Sequence, residues 1–452
     1  MISMLLSKAA TAIESNYDGE DILFSGCSID SRTIEKGNLF IAINGENFDG
    51  HDYVPMAEEK GAAALLLERE VSHDKPLLKV KDTRKAMGLL ARSWREEMMV
   101  PVVAITGSNG KTTVKEMVRS ILSELSDVHA TSGNLNNDIG VPLTLFGFDK
   151  KHQYAVIEMG ANHPGEIEWL SAIARPDVAV ITQCAPAHLE GFGDIDGVAK
   201  AKAEIYSGLQ PTGEAIINAD DDYAEFWAKQ CKFLNQLSFG IESTNADIRA
   251  KNIKIVKQAA STDFELVCST GAIKIRLPLS GKHNVMNALA AAACCLSLNV
   301  PLQTIKTGFE KMSPVKGRLQ IKPGMQGARI IDDTYNANPT SLKAALKVLS
   351  SYEGMRYMVM GDMDELGDEA IDFHYDAGIA IKQADIEGLF TIGVLSIKAM
   401  QAYGDDALHF ESYEALNKML IALLSRHTTI LVKGSRSMQM ERVVNTLTKE
   451  HF

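Results

Sequence analysis

Pro101-Val-Val-Ala-Ile-Thr-Gly-Ser-Asn-Gly-Lys-Thr-Thr113 joins an apolar run to a glycine turn and then to the start of an amphipathic stretch. Val102 to Ile105 predicts a strand, and Thr112 to Leu125 predicts a helix. The turn between them is the context that a phosphate-binding loop requires. Its glycines let backbone N–H groups approach phosphate oxygens, and the helix N-terminus adds a favourable dipole. Lys111, expected in a solvent-facing loop, can reach the outer phosphates, and the Thr112 hydroxyl can ligate Mg²⁺. Ile105 stands where the strict GxxxxGK[ST] form has its first glycine. The ordinary alternative is a glycine turn with a chance lysine, and the strand–loop–helix order weighs against it.

Outward from this loop, strands and helices alternate. Strands are expected at Tyr154 to Ile157, Val178 to Thr182 and Ala215 to Ile217, with helices from Pro164 and over Val198 to Leu209. Such alternation predicts a mostly parallel sheet covered on both faces. Residues 246–280 differ, with short alternating strands at Ile253 to Val256, Phe264 to Val267 and Ile273 to Leu277. Helices follow at Val285 to Leu298 and Leu302 to Lys311. Ser313-Pro-Val-Lys-Gly317 reads as a linker. Beyond it the alternation restarts, with strands at Ile330 to Asp332, Tyr357 to Met360, Leu389 to Ile392 and Ile430 to Val432. Before the loop, residues 1–84 predict a small α/β unit with strands at Asn38 to Ala42 and Ala63 to Leu67. A helix over Thr83 to Met98 then leads into the next domain. The expected fold is therefore α/β in three domains, 1–84, 85–313 and 314–452, the last a doubly wound, Rossmann-like unit.

Composition narrows the function classes. Of 452 residues 46% are hydrophobic and 23% charged, a globular balance that excludes a disordered chain. The net charge of −12 leaves no general footprint for nucleic acid, so a bound anion must be gripped locally. The six cysteines form no CxxC pair, which argues for a reducing compartment. The longest apolar run, Ala288 to Leu296, is about half a membrane span. Met1 to Ile13 has no basic segment before its apolar part, so no signal peptide is expected. The expectation is a cytoplasmic monomer without membrane insertion.

Further candidates lie at the ends of the expected strands, where ligands bind in open parallel sheets. Glu158 ends one strand, and His188 follows another. Lys202, in Val198-Ala-Lys-Ala-Lys-Ala-Glu-Ile205, faces inward more than Lys200 does on helical periodicity. Each has an ordinary alternative: a solvated loop acid, a hydrogen-bonded loop histidine, a solvated helix lysine. Asp332-Asp-Thr-Tyr-Asn-Ala-Asn-Pro339 follows a strand and offers carboxylates to a ribose. Lys433-Gly-Ser-Arg436 could set cations against a carboxylate or phosphate.

Together these residues resemble the Mur ligase family, the ATP-dependent amide-forming enzymes of peptidoglycan precursor synthesis, over nearly the whole chain. Four segments point to the members that use D-alanyl-D-alanine. They are Asp30-Ser-Arg32 with Asp49-Gly-His51, Gly133-Asn-Leu-Asn-Asn-Asp-Ile-Gly-Val-Pro142, Asp332 to Pro339, and Leu431-Val-Lys-Gly-Ser-Arg-Ser-Met438. Gly361-Asp-Met-Asp-Glu-Leu-Gly367 with His374 fits the same pattern, with Asp364 where an apolar residue is expected. Sister ligases and folylpolyglutamate synthases share the phosphate loop but differ at Asp332 to Pro339.

The resemblance implies roles residue by residue. Gly107, Ser108, Asn109, Gly110, Lys111, Thr112 and Thr113 hold ATP. Asn284 and Asn287 contact adenine, Arg318 meets the phosphates from the linker, and Asp333 holds the ribose. Thr112, Glu158, His188 and a carbamylated Lys202 bind two Mg²⁺ ions, with Lys111, Lys202 and His188 as the catalytic group. Ser31 and Arg32 lie near the UDP moiety. Asn134, Asn137, Tyr335, Asn336, Asn338, Lys433 and Arg436 are expected at the substrates, a UDP-N-acetylmuramoyl tripeptide and D-alanyl-D-alanine. The rival from another class is a nucleotide-dependent switch that does not ligate.

Overall fold

The strand that feeds the phosphate loop lies inside a nine-stranded sheet. The computed structural model describes residues 1–17, 19–45, 48–256 and 261–448, so the parts of the expected domains at 18, 46–47, 257–260 and 449–452 lie outside the described residues. The strands run, in spatial order, Gly271–Leu277, Ser261–Cys268, Ile248–Val256, Asn235–Gly240, Glu214–Asn218, Val178–Ile181, Val102–Thr106, Tyr154–Glu158 and Val128–Ala130. Pairing is parallel from Ile248–Val256 onward and antiparallel for the first two pairs, which explains the different texture of residues 246–280. After Val102–Thr106 the chain runs to the far edge, returns at Tyr154–Glu158, and crosses to Val178–Ile181 on the other side. That reversal opens a crevice at the carboxyl end of Val102–Thr106, where ligands bind in such sheets.

Burial explains why this strand is straight apolar sequence rather than alternating. All five residues of Val102–Thr106 and all four of Val178–Ile181 are buried, as expected for parallel strands with helices on both faces. Each Val or Ile so buried stabilises the fold by about 1.5–3 kcal/mol.

The N-terminal part has a four-stranded parallel sheet, Cys27–Ser28, Leu39–Ile41, Ala64–Leu67 and Leu77–Lys79, and an antiparallel pair, Ser3–Leu5 with Leu23–Ser25. It does not keep its core to itself. Met4, Leu6, Phe24 and Leu66 pack in one cluster with Met87, Leu90, Trp94, Val102 and Leu170. The helix Thr83–Met98, capped by Asp82 on the Lys85 N–H, carries that contact. It lies close to Glu166–Ala174 at Gly88, where a Cβ would stand 2.5 Å from the Trp169 ring.

The C-terminal sheet runs Gln320–Pro323, Arg329–Asp333, Thr428–Lys433, Met355–Met360, Gly388–Ile392 and Ala407–Phe410, parallel except for its first pair. Three loops leave the carboxyl ends of its middle strands: 334–338, 361–367 and 434–438.

Several helices differ from expectation: those expected from Pro164 and Val285 begin at Glu166 and Lys282, and two more change at an end. Lys111–Leu122 stops before Leu125, because Glu124 and Leu125 bond three residues back instead of four. The helix expected over Val198 to Leu209 starts at Ile195, capped by Asp194 on the Gly197 N–H, and tightens to a 3₁₀ turn over Glu204–Gly208. Short strands such as Val128–Ala130 and Gln320–Pro323 carry half-buried or polar residues, so no period betrayed them.

Candidate active site

A cleft of about 1410 Å³ lies between the central and C-terminal sheets, with the phosphate loop on one wall. Gly107 has φ 146°, and a Cβ there would sit 1.9 Å from Thr182 Oγ1, so only glycine fits. Gly110, at φ 85°, caps the helix, and Asn287 Oδ1 packs against it. Ser108 donates from Oγ to Ala185 O at 2.8 Å and from N to Gln183 O at 2.9 Å. Thr182 Oγ1 donates to Asn109 O. The loop is thus tied to the strand beside it and preorganised.

Lys111 is not in a solvent-facing loop. It is the first residue of the helix, half-buried, and its Nζ donates to Gly107 O at 2.6 Å. Burial lowers its pKa most, with Arg318 adding to that and Glu158 and Glu365 opposing it. Thr112 and Thr113 are buried in the first turn, and Arg318 Nη2 donates to Thr112 Oγ1 at 3.3 Å. The Arg318 guanidinium lies 4.1 Å from the centre of the Tyr335 ring, close enough for a cation–π contact.

Glu158 is 1% exposed. Its N–H donates to Thr131 Oγ1, and Asn136 Nδ2 donates to its Oε1 at 3.0 Å. Its Oε2 is buried without a hydrogen-bond partner. Neither Asn136 nor Thr131 was among the expected site residues, although Asn136 lies within Gly133 to Pro142, a segment that the resemblance rests on. His188, at φ 55°, precedes the short helix Leu189–Phe192, and its Nδ1 lies 2.7 Å from Glu365 Oε2. Lys202 is 3% exposed and has no hydrogen bond or ion pair among the described residues. Its nearest aromatic face is Phe192, 6.0 Å from Nζ to the ring centre. Burial, then the Lys111 charge, brings its pKa down to about 7. No three His, Cys, Asp or Glu side chains gather as a metal cage among the described residues.

The C-terminal domain supplies the opposite wall. Asn338 caps Pro339–Leu349 with a capping box, and its Nδ2 donates to Asn109 Oδ1 at 2.8 Å. Tyr335, Asn336 and Arg436 line the cleft, as do Asn134 and Asn137 from the central domain. Arg436 is paired with Glu441 at 2.9 Å, and Asn137 Oδ1 accepts the Gly140 N–H.

Several expected site residues do not line this cleft. Lys433, expected at substrate, is 2% exposed; its Nζ donates to Asp333 Oδ2 at 2.6 Å and to Asn336 O at 2.9 Å. A cation that deep needs a fixed partner, and Asp333 is it. Asp333, expected at the ribose, also accepts the Leu319 N–H. Asn284 donates to Ser280 O and sits behind the phosphate loop with Asn287. Ser31 is buried against Met56, and Arg32 is exposed and pairs with Asp30 in the N-terminal domain.

Comparison with known proteins agrees with this layout. Three family profiles match in chain order: "Mur ligase family, catalytic domain" at 23–95, "Mur ligase middle domain" at 105–295 and "Mur ligase, glutamate ligase domain" at 317–436. The chain is 43% identical to the UDP-N-acetylmuramoyl-tripeptide–D-alanyl-D-alanine ligase of Escherichia coli (strain K12), over 99% of both proteins. It is 35% identical to the Bacillus subtilis (strain 168) protein of the same name, over 96% of this chain and 95% of that one. Among solved structures, MurF from Acinetobacter baumannii superposes with a TM-score of 0.93 at 37% identity, covering 99% of each chain. MurF ligase from Thermotoga maritima in complex with ADP gives 0.82 at 27% identity, covering 94% of this chain and 97% of that one. With a loop built for phosphate, a cleft facing three C-terminal-domain loops and identity of this extent, the chain belongs to the Mur ligase family.

Proposed function

We infer that this chain is an ATP-dependent ligase that joins D-alanyl-D-alanine to the terminal carboxylate of a UDP-N-acetylmuramoyl tripeptide, giving the pentapeptide, ADP and phosphate in peptidoglycan synthesis. The observation that carries this reading is the phosphate loop facing the 334–338, 361–367 and 434–438 loops across one cleft, in a chain matching named ligases of that activity end to end. No helix among the described residues is long and apolar enough to cross a membrane. A cytoplasmic monomer is part of the proposal.

The reaction has two displacements. A carboxylate oxygen of the tripeptide attacks the γ-phosphorus, the bond to the β,γ-bridging oxygen breaks, and ADP leaves with that electron pair. The neutral amine of the dipeptide then attacks the acyl phosphate carbonyl, the bond from that carbon to the phosphate oxygen breaks, and inorganic phosphate departs with the electron pair and the proton the amine loses. The chain's work is positioning and charge neutralisation. The backbone N–H groups of 109–112 cradle phosphate oxygens, the Ser108 N–H being spent on Gln183 O. Lys111 exchanges its bond to Gly107 O for the transferring phosphoryl group. Arg318, stacked on Tyr335 beside Thr112, brings a second cation from the linker. The Asn338–Asn109 bond fastens the C-terminal wall over the loop, which keeps water from the acyl phosphate.

The residues fit Mg²⁺. A buried, unpartnered carboxylate oxygen on Glu158 and a hydroxyl on Thr112 are hard donors, and Mg²⁺ needs few protein ligands because it keeps several waters. Glu158 and Thr112 would hold one ion; His188 and a carbamylated Lys202 would hold a second. Bound Mg²⁺ supplies charge neutralisation on the triphosphate. A lysine buried without a polar partner and with its pKa near 7 is populated as the neutral amine, the form that adds CO₂ and releases a proton to become a carbamate.

The test is ADP formation with UDP-N-acetylmuramoyl tripeptide, with and without D-alanyl-D-alanine. Sustained ADP release is expected with both substrates present. Release that ignores the dipeptide, or that is driven equally by a single amino acid, would overturn the assignment in favour of a switch protein or a sister ligase.

A further inference from the structure

Two non-glycine residues in the left-handed region of backbone space meet across the boundary between the central and C-terminal domains: His188 at φ 55° and Glu365 at φ 63°. Such conformations persist where the surroundings over-determine them, and they cluster at functional sites. Glu365 Oε2 stands 2.7 Å from His188 Nδ1, and Glu365 O accepts the Leu189 N–H at 3.1 Å. His188 Nδ1 is buried and has no aligned hydrogen bond, so Glu365 is the acceptor within reach. Both residues line the cleft.

Glu365 is held firmly from behind. Asp364 N–H donates to Ser435 Oγ at 2.7 Å, and Ser437 Oγ donates to the Asp364 carboxylate. Met363 N–H donates to His374 Nε2 at 2.9 Å. The Asp362 carboxylate collects the N–H groups of Val394, Leu395 and Ser396. The 361–367 loop is therefore rigid with the C-terminal sheet, and Glu365 is its tip. A half-exposed carboxylate–imidazole contact contributes little to stability, so stability alone does not account for this much scaffolding.

We propose that Glu365 is a positioning residue: its carboxylate reaches across the domain boundary to hold the Nδ1 side of His188, leaving Nε2 as the ring nitrogen free to act, so that the imidazole is oriented only while the C-terminal domain is docked. Histidines that bind metal or shuttle protons are set in this way by a carboxylate on their other nitrogen. The proposal rests on the reading of His188 as part of the reaction centre.

Glu365→Gln tests it, since the change keeps shape and removes charge. kcat should fall about 10–100-fold while KM for ATP and for the UDP substrate stays within about twofold of the original. The double variant His188→Ala with Glu365→Gln should be no slower than His188→Ala alone. A second readout needs no turnover: ring ¹⁵N spectra of His188 in metal-free protein with a non-hydrolysable ATP analogue. The unmodified protein should show one ring state, with a proton on Nδ1 facing Glu365, and Glu365→Gln a mixture of ring states. A Glu365→Gln kcat within twofold of the original, or an unchanged His188 spectrum, would overturn the role of Glu365. Full turnover in His188→Ala would overturn the reading of the site on which it rests.

Discussion

Lys202 and Asp333 show how much a side chain's role depends on what surrounds it. Periodicity alone gives Lys202 an inward lean; the fold gives it burial without a polar partner. If it carries a carbamate, Lys202→Ala should lose most activity and regain part of it with added short-chain carboxylic acids, which supply the missing anionic oxygen. Lys202→Arg should not respond, because the guanidinium fills that space with fixed positive charge. Steady-state rates across an acid titration check this, and equal, near-normal rates in both variants would count against it. Asp333 faces its own test. Its carboxylate neutralises the buried Lys433, so Asp333→Ala should lower the unfolding free energy by about 3–5 kcal/mol, the cost of leaving a buried cation unpaired. Urea unfolding measures it. A stable variant with only a raised KM for ATP would favour the ribose role that the resemblance implies.

At the scale of elements, one helix start does two jobs. Asn338 caps Pro339–Leu349 through the Ser341 N–H and also reaches the phosphate loop at Asn109. Asn338→Ala should therefore cost about 1 kcal/mol of stability from the lost cap. Its KM for ATP should rise severalfold from the lost bridge. Asn338→Asp keeps an N-cap acceptor but cannot donate to Asn109 Oδ1, so it should keep stability and still raise KM. Thermal melts and ATP kinetics on both variants separate the two effects; a normal KM in Asn338→Asp would mean the bridge is idle. The strand–glycine turn–helix unit itself was legible in sequence, because Val102–Thr106, the glycines and Lys111 are contiguous. Glu365 was not, since its meaning comes from a histidine 177 positions earlier in the chain and on another domain.

For the whole molecule, buried histidines set a pH dependence. Burial depresses the pKa of His129, His283 and His374, to about 4 for His283. The unfolded chain binds these protons near pH 6.5 and the folded chain does not. Stability should therefore be full above pH 6.5 and fall as pH drops toward 4, by up to about 1.4 kcal/mol per pH unit for each histidine so affected. His374 accepts the Met363 N–H at Nε2 and lies 2.6 Å from Ala370 O at Nδ1, so a proton gained on Nε2 breaks a buried bond. His374→Gln, whose side-chain oxygen can take the same N–H, should flatten that slope. Unfolding free energies at pH 7, 6 and 5 check it, and an unaltered slope would exclude His374 as a contributor.

Local sequence determined what local physics controls. Strand and helix order, the glycine turn after Val102–Thr106 and the three-part α/β plan follow from periodicity, glycine placement and apolar runs, which need no distant partner to act. Tertiary structure decided the rest. It joined the N-terminal unit to the central core through Met4, Leu6, Phe24 and Leu66 packed with Met87, Leu90 and Trp94, buried Lys433 on Asp333, and brought Asn338 to Asn109 and Glu365 to His188. These outcomes hang on contacts between residues tens to hundreds of positions apart. The free energy of such contacts depends on which surfaces pack together, and no window of sequence contains it.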